Sequence, residues 1–100
     1  MGEVHYQELA THYTSSPVST AAMLHLNLSV PNCAVQEHNP PRGIITDIVS
    51  FDWYVKDGYL HAGSCPGLGI DIDEDLASQH PHSPAEPPHL RRQDGSVQDW

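Results

Sequence analysis

The stretch SPVSTAAMLHLNLSVPNCAVQE, residues 16–37, does most to limit what this chain can fold into. Ser16 can cap a helix, and Pro17 suits the first helical position. The residues that follow are mostly good helix formers. Val18, Ala21, Ala22, Leu24 or His25, and Leu28 fall at the spacing of one buried helical face. Small residues at 19, 21 and 22 allow close packing against a sheet. Pro31 and Asn32 end the helix. CAVQE, residues 33–37, follows at once. It is short, apolar and bounded by turn residues, so it predicts a buried strand that finishes on a charge. A helix beside one buried strand is a β/α element without its sheet, and a lone strand is not stable. The chain calls for neighbours.

The rest of the sequence is punctuated by turns. Residues 1–11 carry a weak helical pattern, Val4 and Leu9, with no start signal. HNPPRG, 38–43, predicts a loop, because paired prolines exclude helix. ITDIVSF is ambiguous between helix and strand. Trp53-Tyr54-Val55, then Lys-Asp-Gly, then Tyr59-Leu60-His61 predicts a hairpin, since Asp-Gly between aromatic-rich runs favours a tight turn. Asp73 is placed to cap a short helix over DEDLASQH, with acids in its first turn. HPHSPAEPPH is proline-broken and extended, and Asp94-Gly95 marks a last turn.

Composition narrows the function. The 100 residues carry a formal charge of −9, and the basic residues are only Arg42, Lys56, Arg91 and Arg92. No basic stripe exists, which argues against a nucleic-acid partner. No apolar run approaches the roughly 20 residues that span a bilayer. The N-terminus lacks the basic and apolar regions of a secretory signal. Cys33 and Cys65 have no metal-type spacing and predict small buried hydrophobes in a reduced, cytoplasmic protein. Nine prolines and a C-terminal third nearly free of core residues again suggest a chain that packs against something else.

Three motifs invite a ligand. CPGLGIDIDEDL, 65–76, has glycines like a phosphate loop, but a dinucleotide fingerprint needs a third glycine and a strand–helix setting. Its acids resemble a calcium loop, but Leu76 stands where the sixth-position glycine belongs and His82 where the glutamate belongs. The expected role is structural: Pro66, Gly67 and Gly69 shape a tight turn. His80, His82 and His89 lie in the proline-rich segment and are read as solvated. His12 and Glu37 are different. One precedes the helix and the other closes the strand after it. In a (β/α)₈ barrel both places are the same C-terminal rim, where active sites form.

THYTSSPVSTAAMLHLNLSVPNCAVQE, DGYLHAGSCPGLGIDIDEDL and RRQDGSVQDW, taken in order, resemble the C-terminal end of sugar-acid dehydratases of the enolase superfamily. The resemblance is to the mandelate racemase-like branch, galactonate and mannonate dehydratase type, and covers about residues 9–100. It implies an α/β fold: the C-terminal portion of a modified (β/α)₈ TIM barrel, namely the end of strand seven, its helix and strand eight. A segment returning to a capping domain follows. A complete barrel takes about 250 residues, so this chain cannot close one. On that reading residues 1–8 are unassigned, 9–50 belong to the barrel, and 51–100 form the hairpin and capping segment.

The resemblance also implies chemistry. In such enzymes Mg²⁺ holds a sugar-acid carboxylate and stabilises the ene-diolate formed when the neighbouring proton leaves. His12 matches the base on strand seven, normally oriented by an aspartate on the preceding strand. Glu37 matches the group on strand eight that hydrogen-bonds the substrate carboxylate, which requires it protonated by burial. The acidic metal ligands and the histidine acid match nothing here, so the isolated chain is expected to be inactive. A full-length enzyme is expected to be a homo-oligomer. Two alternatives stay open: a non-catalytic piece that docks on a full-length relative, and a racemase fragment. Spacing from His12 to Glu37 looks galactonate-like, whereas DGYLHAG and GIDIDE look mannonate-like.

Overall fold

The computed structural model describes residues 2–12, 16–84 and 90–98. A 3₁₀ turn at Glu3–His5 leads into strand β1, Leu9–Thr11. Helix α1, Pro17–Ser29, follows. Its start is the one the sequence dictates: the Ser16 hydroxyl accepts from the Ser19 N–H at 3.2 Å, with Pro17 at the first position. Strand β2, Cys33–Gln36, then returns beside β1 and runs parallel to it. Among the described residues, 2–11 are therefore not helical beyond one turn. The strand at 9–11 is the end of strand seven that the resemblance implies; three residues carry no period of their own, and pairing with β2 makes them a strand.

Helix α2 (Ile45–Ile48) and strand β3 (Val49–Phe51) resolve the ambiguous stretch into one turn of helix followed by a strand. Strands β4 (Tyr54–Lys56) and β5 (Tyr59–His61) form the expected hairpin. Asp57 and Gly58 at its tip have φ of 52° and 80°, the two left-handed residues of a type I′ turn. Strand β6, Ile70–Ile72, pairs antiparallel with β3. Helix α3, Glu74–Ser78, is capped by Asp73, which accepts from the Leu76 N–H at 2.8 Å. Strands β7 (Leu90–Arg91) and β8 (Val97–Gln98) close a final antiparallel pair around the Asp94-Gly95 turn.

These strands make four two-stranded sheets among the described residues, with no sheet shared by all. The core is small. Ala21 and Leu24 of α1 bury against Trp53, and Phe51, Leu60, Ala62 and Ile70 pack around them. Phe51 stacks on Trp53 at 4.2 Å between ring centroids, and His38 meets the same indole edge-on. The Cα radius of gyration is 17.9 Å, well above the roughly 13 Å of a compact 100-residue domain.

Burial departs from expectation in three places. The helix buries Pro17, Thr20, Ala21 and Leu24, while Ala22 and Leu28 are exposed. Strand β2 is not buried: Ala34 and Val35 face solvent, because a parallel strand needs cover on both faces and α1 supplies one. The cysteines are not core residues either. Cys33 is half-buried and Cys65 exposed, the latter on a loop shaped by glycines rather than inside a packed element.

That glycine loop has a definite occupant. Gly67 and Gly69 have φ of 69° and 64°, and the Gly69 N–H closes a turn on the Pro66 carbonyl. The carboxylate of Asp52 sits against the loop and accepts from the Cys65 N–H at 2.6 Å. A Cβ at Gly63 or Gly69 would overlap that carboxylate. The loop cradles an anion, and the anion belongs to the chain.

Candidate active site

Strands β1 and β2 place the two candidate residues. Thr11 lies opposite Gln36, and the Glu37 N–H extends the ladder by donating to the Thr11 carbonyl at 3.0 Å. His12 and Glu37 are the next residues of each strand, at the same end. Successive side chains of a strand point to opposite faces. Thr11 and Gln36 bond to Asn27 of α1, so they face the helix. His12 and Glu37 then face away from it. Their side chains meet: His12 Nδ1 lies 2.5 Å from Glu37 Oε2.

The pair is open to solvent. The His12 side chain is 76 % exposed and that of Glu37 48 %. The burial that a protonated, donating Glu37 needs is not supplied by the described residues. Direct contact between the two is also closer than a division into base and donor implies. Glu37 takes the ring nitrogen that an orienting carboxylate from another strand would hold.

The other motifs fall elsewhere. Asp71 lies on β6, Asp73 caps α3, and Glu74 and Asp75 fill its first turn. His80 and His82 lie in the exposed stretch beyond α3, and His89 is outside the described residues. Among the described residues no group of three or more His, Cys, Asp or Glu side chains is arranged to hold a metal ion. The donor set present does not fit Mg²⁺. No helix is long and apolar enough to cross a membrane. Sequence reasoning did not find the Asn27 bonds, which join residues 9 and 16 positions apart and leave no local pattern.

A strand–helix–strand unit with parallel strands, carrying its polar pair at the strands' C-terminal ends, is the repeating unit of α/β folds, the β/α barrel among them. The chain belongs to the enolase C-terminal domain-like family, whose model matches residues 1–76. It is 42 % identical over 102 residues to a D-galactonate dehydratase family member of Streptomyces bingchenggensis, covering 100 % of this chain and 25 % of that protein. It is 41 % identical to a D-mannonate dehydratase of Caulobacter vibrioides, covering 98 % of this chain and 25 % of the relative. An enolase from Pantoea ananatis, solved with bound D-gluconate and Mg, superposes with a TM-score of 0.83 and 34 % identity. That match covers 95 % of this chain and 24 % of the other. The chain spans about a quarter of the relatives it matches and closes no barrel.

Proposed function

We propose that this chain carries two catalytic groups of a sugar-acid dehydratase and that the rest of the site, metal ligands included, comes from polypeptide outside it. The observation that carries this reading is the register of His12 and Glu37 at the C-terminal ends of adjacent parallel strands, in a chain whose relatives are named for galactonate and mannonate dehydration.

In the proposed reaction His12 removes the proton alpha to the substrate carboxylate and becomes charged. The electron pair left behind moves toward that carboxylate, where Glu37 donates a hydrogen bond as negative charge grows. The β-hydroxyl then departs as water, taking its proton from a group beyond this chain. The resulting enol becomes a 2-keto-3-deoxy acid. Substrate entry has to part His12 from Glu37, and a carboxylate from a neighbouring strand has to take over the His12 Nδ1 position.

The test is a chimera. Residues 1–100 replace the matching quarter of the Streptomyces relative, and the product is assayed with aldonic acids and Mg²⁺. Formation of a 2-keto-3-deoxy acid is expected. His12→Ala and Glu37→Ala should each lower turnover by about 100-fold or more. Unchanged turnover in either variant removes that residue from the mechanism.

A second reading has its own support. A groove of ≈ 800 Å³ runs between α1, β2 and the β4–β5 hairpin, lined in part by Leu28, Val35, Val55 and Tyr59, all exposed. Such a face suits docking on a relative without catalysis. Binding of the wild-type chain to a relative's remaining three-quarters, with no turnover, favours this second reading.

A further inference from the structure

The ladder between β1 and β2 does not by itself set the register at the site. Leu9 lies opposite Cys33, yet Ala10 lies opposite Val35, so Ala34 is left over in an irregularity two residues below Thr11. A one-residue slip would turn every side chain to the other face. Glu37 would then point toward the helix and Gln36 toward the site.

One side chain reads both strands above the irregularity. Asn27 Nδ2 donates to Thr11 Oγ1 at 2.8 Å and to Gln36 Oε1 at 2.8 Å. Gln36 Nε2 in turn donates to the Thr20 carbonyl of α1 at 3.3 Å. Thr11 and Gln36 are the residues immediately before His12 and Glu37. The acceptor end of Asn27, Oδ1, is buried without a hydrogen-bond partner among the described residues. Its donor end therefore accounts for a polar side chain at this place, where an apolar residue would otherwise pack between helix and strands.

We propose that Asn27 is a positioning residue: its amide holds Thr11 and Gln36 in the register that sets His12 beside Glu37. It touches neither the pair nor a substrate and acts through the two strand ends. The word positioning rests on the catalytic reading above. The strand pinning itself does not, and the experiment separates the two.

Asn27→Leu keeps roughly the same shape, removes both donors and places a better helix former in α1. Thr11→Val removes one acceptor at constant shape and serves as the second variant. In the chain of 100 residues, NMR reads hydrogen exchange of the Glu37 amide and the proximity of the His12 ring to the Glu37 side chain. Asn27→Leu is expected to speed that amide's exchange by about tenfold or more and to abolish the proximity signal. Gly58→Ala, across the groove from Asn27 and with no atom near its added methyl, should leave the proximity signal in place. In the chimera, misplacement by about 1 Å should lower kcat by about 100-fold with KM little changed. Thr11→Val should give a smaller loss, and the double variant no more than Asn27→Leu. A purely structural role would lower the melting temperature but leave kcat per folded molecule intact. That result, or an unchanged Glu37 exchange rate and His12 contact in Asn27→Leu, overturns the proposal. If the wild-type chimera does not turn over, the catalytic reading fails and the NMR measurements alone decide the strand pinning.

Discussion

At the scale of single residues, Asp52 shows what a glycine pattern can and cannot say. Pro66, Gly67 and Gly69 predict a tight turn, and the turn is there. Nothing local reveals that the anion in its cradle is a side chain eleven or more positions upstream. The Cys65 N–H, followed by the Cys65 thiol and the Ser64 N–H, holds the Asp52 carboxyl below the usual carboxylate range, against the opposing effect of desolvation. The same carboxylate pushes the Cys65 thiol up, so this exposed cysteine is a weaker nucleophile than a free one. A carboxylate whose pKa is lowered by folding adds stability above its unfolded value, and that stability is lost as pH falls through the folded value. The loss should therefore appear below about pH 4. Asp94, lowered by its bonds from Ser96, contributes in the same direction. Thermal melts should show the wild type losing stability below about pH 4 more steeply than Asp52→Asn, which has no charge to lose. Equal slopes would mean that the clasp carries no share of acid stability.

At the scale of elements, the legible parts are those whose signal is local. The Ser16 cap, Pro17, the Asp57-Gly58 turn and the Asp73 cap all stand where the sequence puts them, because each depends on residues within three or four positions. Strand β1 is legible only through the resemblance, as the end of strand seven, and β6 not at all, since three-residue strands exist only through partners far along the chain. The burial of α1 was partly misread for a related reason. A helix with apolar residues on several sides needs more than one neighbour before its buried face is defined. The resemblance and barrel geometry put His12 and Glu37 at the same rim; their mutual contact and the Asn27 bonds join residues far apart in the chain and leave no local pattern. The hairpin offers a clean check. Gly58 sits at φ 80° with open space around its Cα, so a methyl group there meets no atom but strains the backbone. Gly58→Ala should cost about 1 kcal/mol in denaturant unfolding. No loss would show that the hairpin does not contribute to the cooperative unit.

At the scale of the whole molecule, the described residues form a parallel strand pair with its helix, packed with the antiparallel pairs β3–β6 and β4–β5 around Trp53. Among the described residues the buried apolar core is only Ala21, Leu24, Val49 and Trp53, and Leu24→Ala should cost about 2–5 kcal/mol, enough to unfold a marginal chain. Circular dichroism would then show no cooperative transition; a retained transition at nearly the same temperature would place the stability elsewhere. The parallel pair has a further consequence. Among the described residues β1 and β2 pair only with each other, so each keeps one row of backbone donors and acceptors unmatched. In a closed barrel those rows are consumed by the adjoining strands. Left open beside an exposed Val35, they form an adhesive edge that does not distinguish a barrel strand from another copy of itself. The apparent mass from light scattering should rise with the concentration of the chain, and Val35→Lys should hold it near the monomer value. The same open ladder that marks a barrel fragment is what should make it self-associate when no barrel strand is beside it.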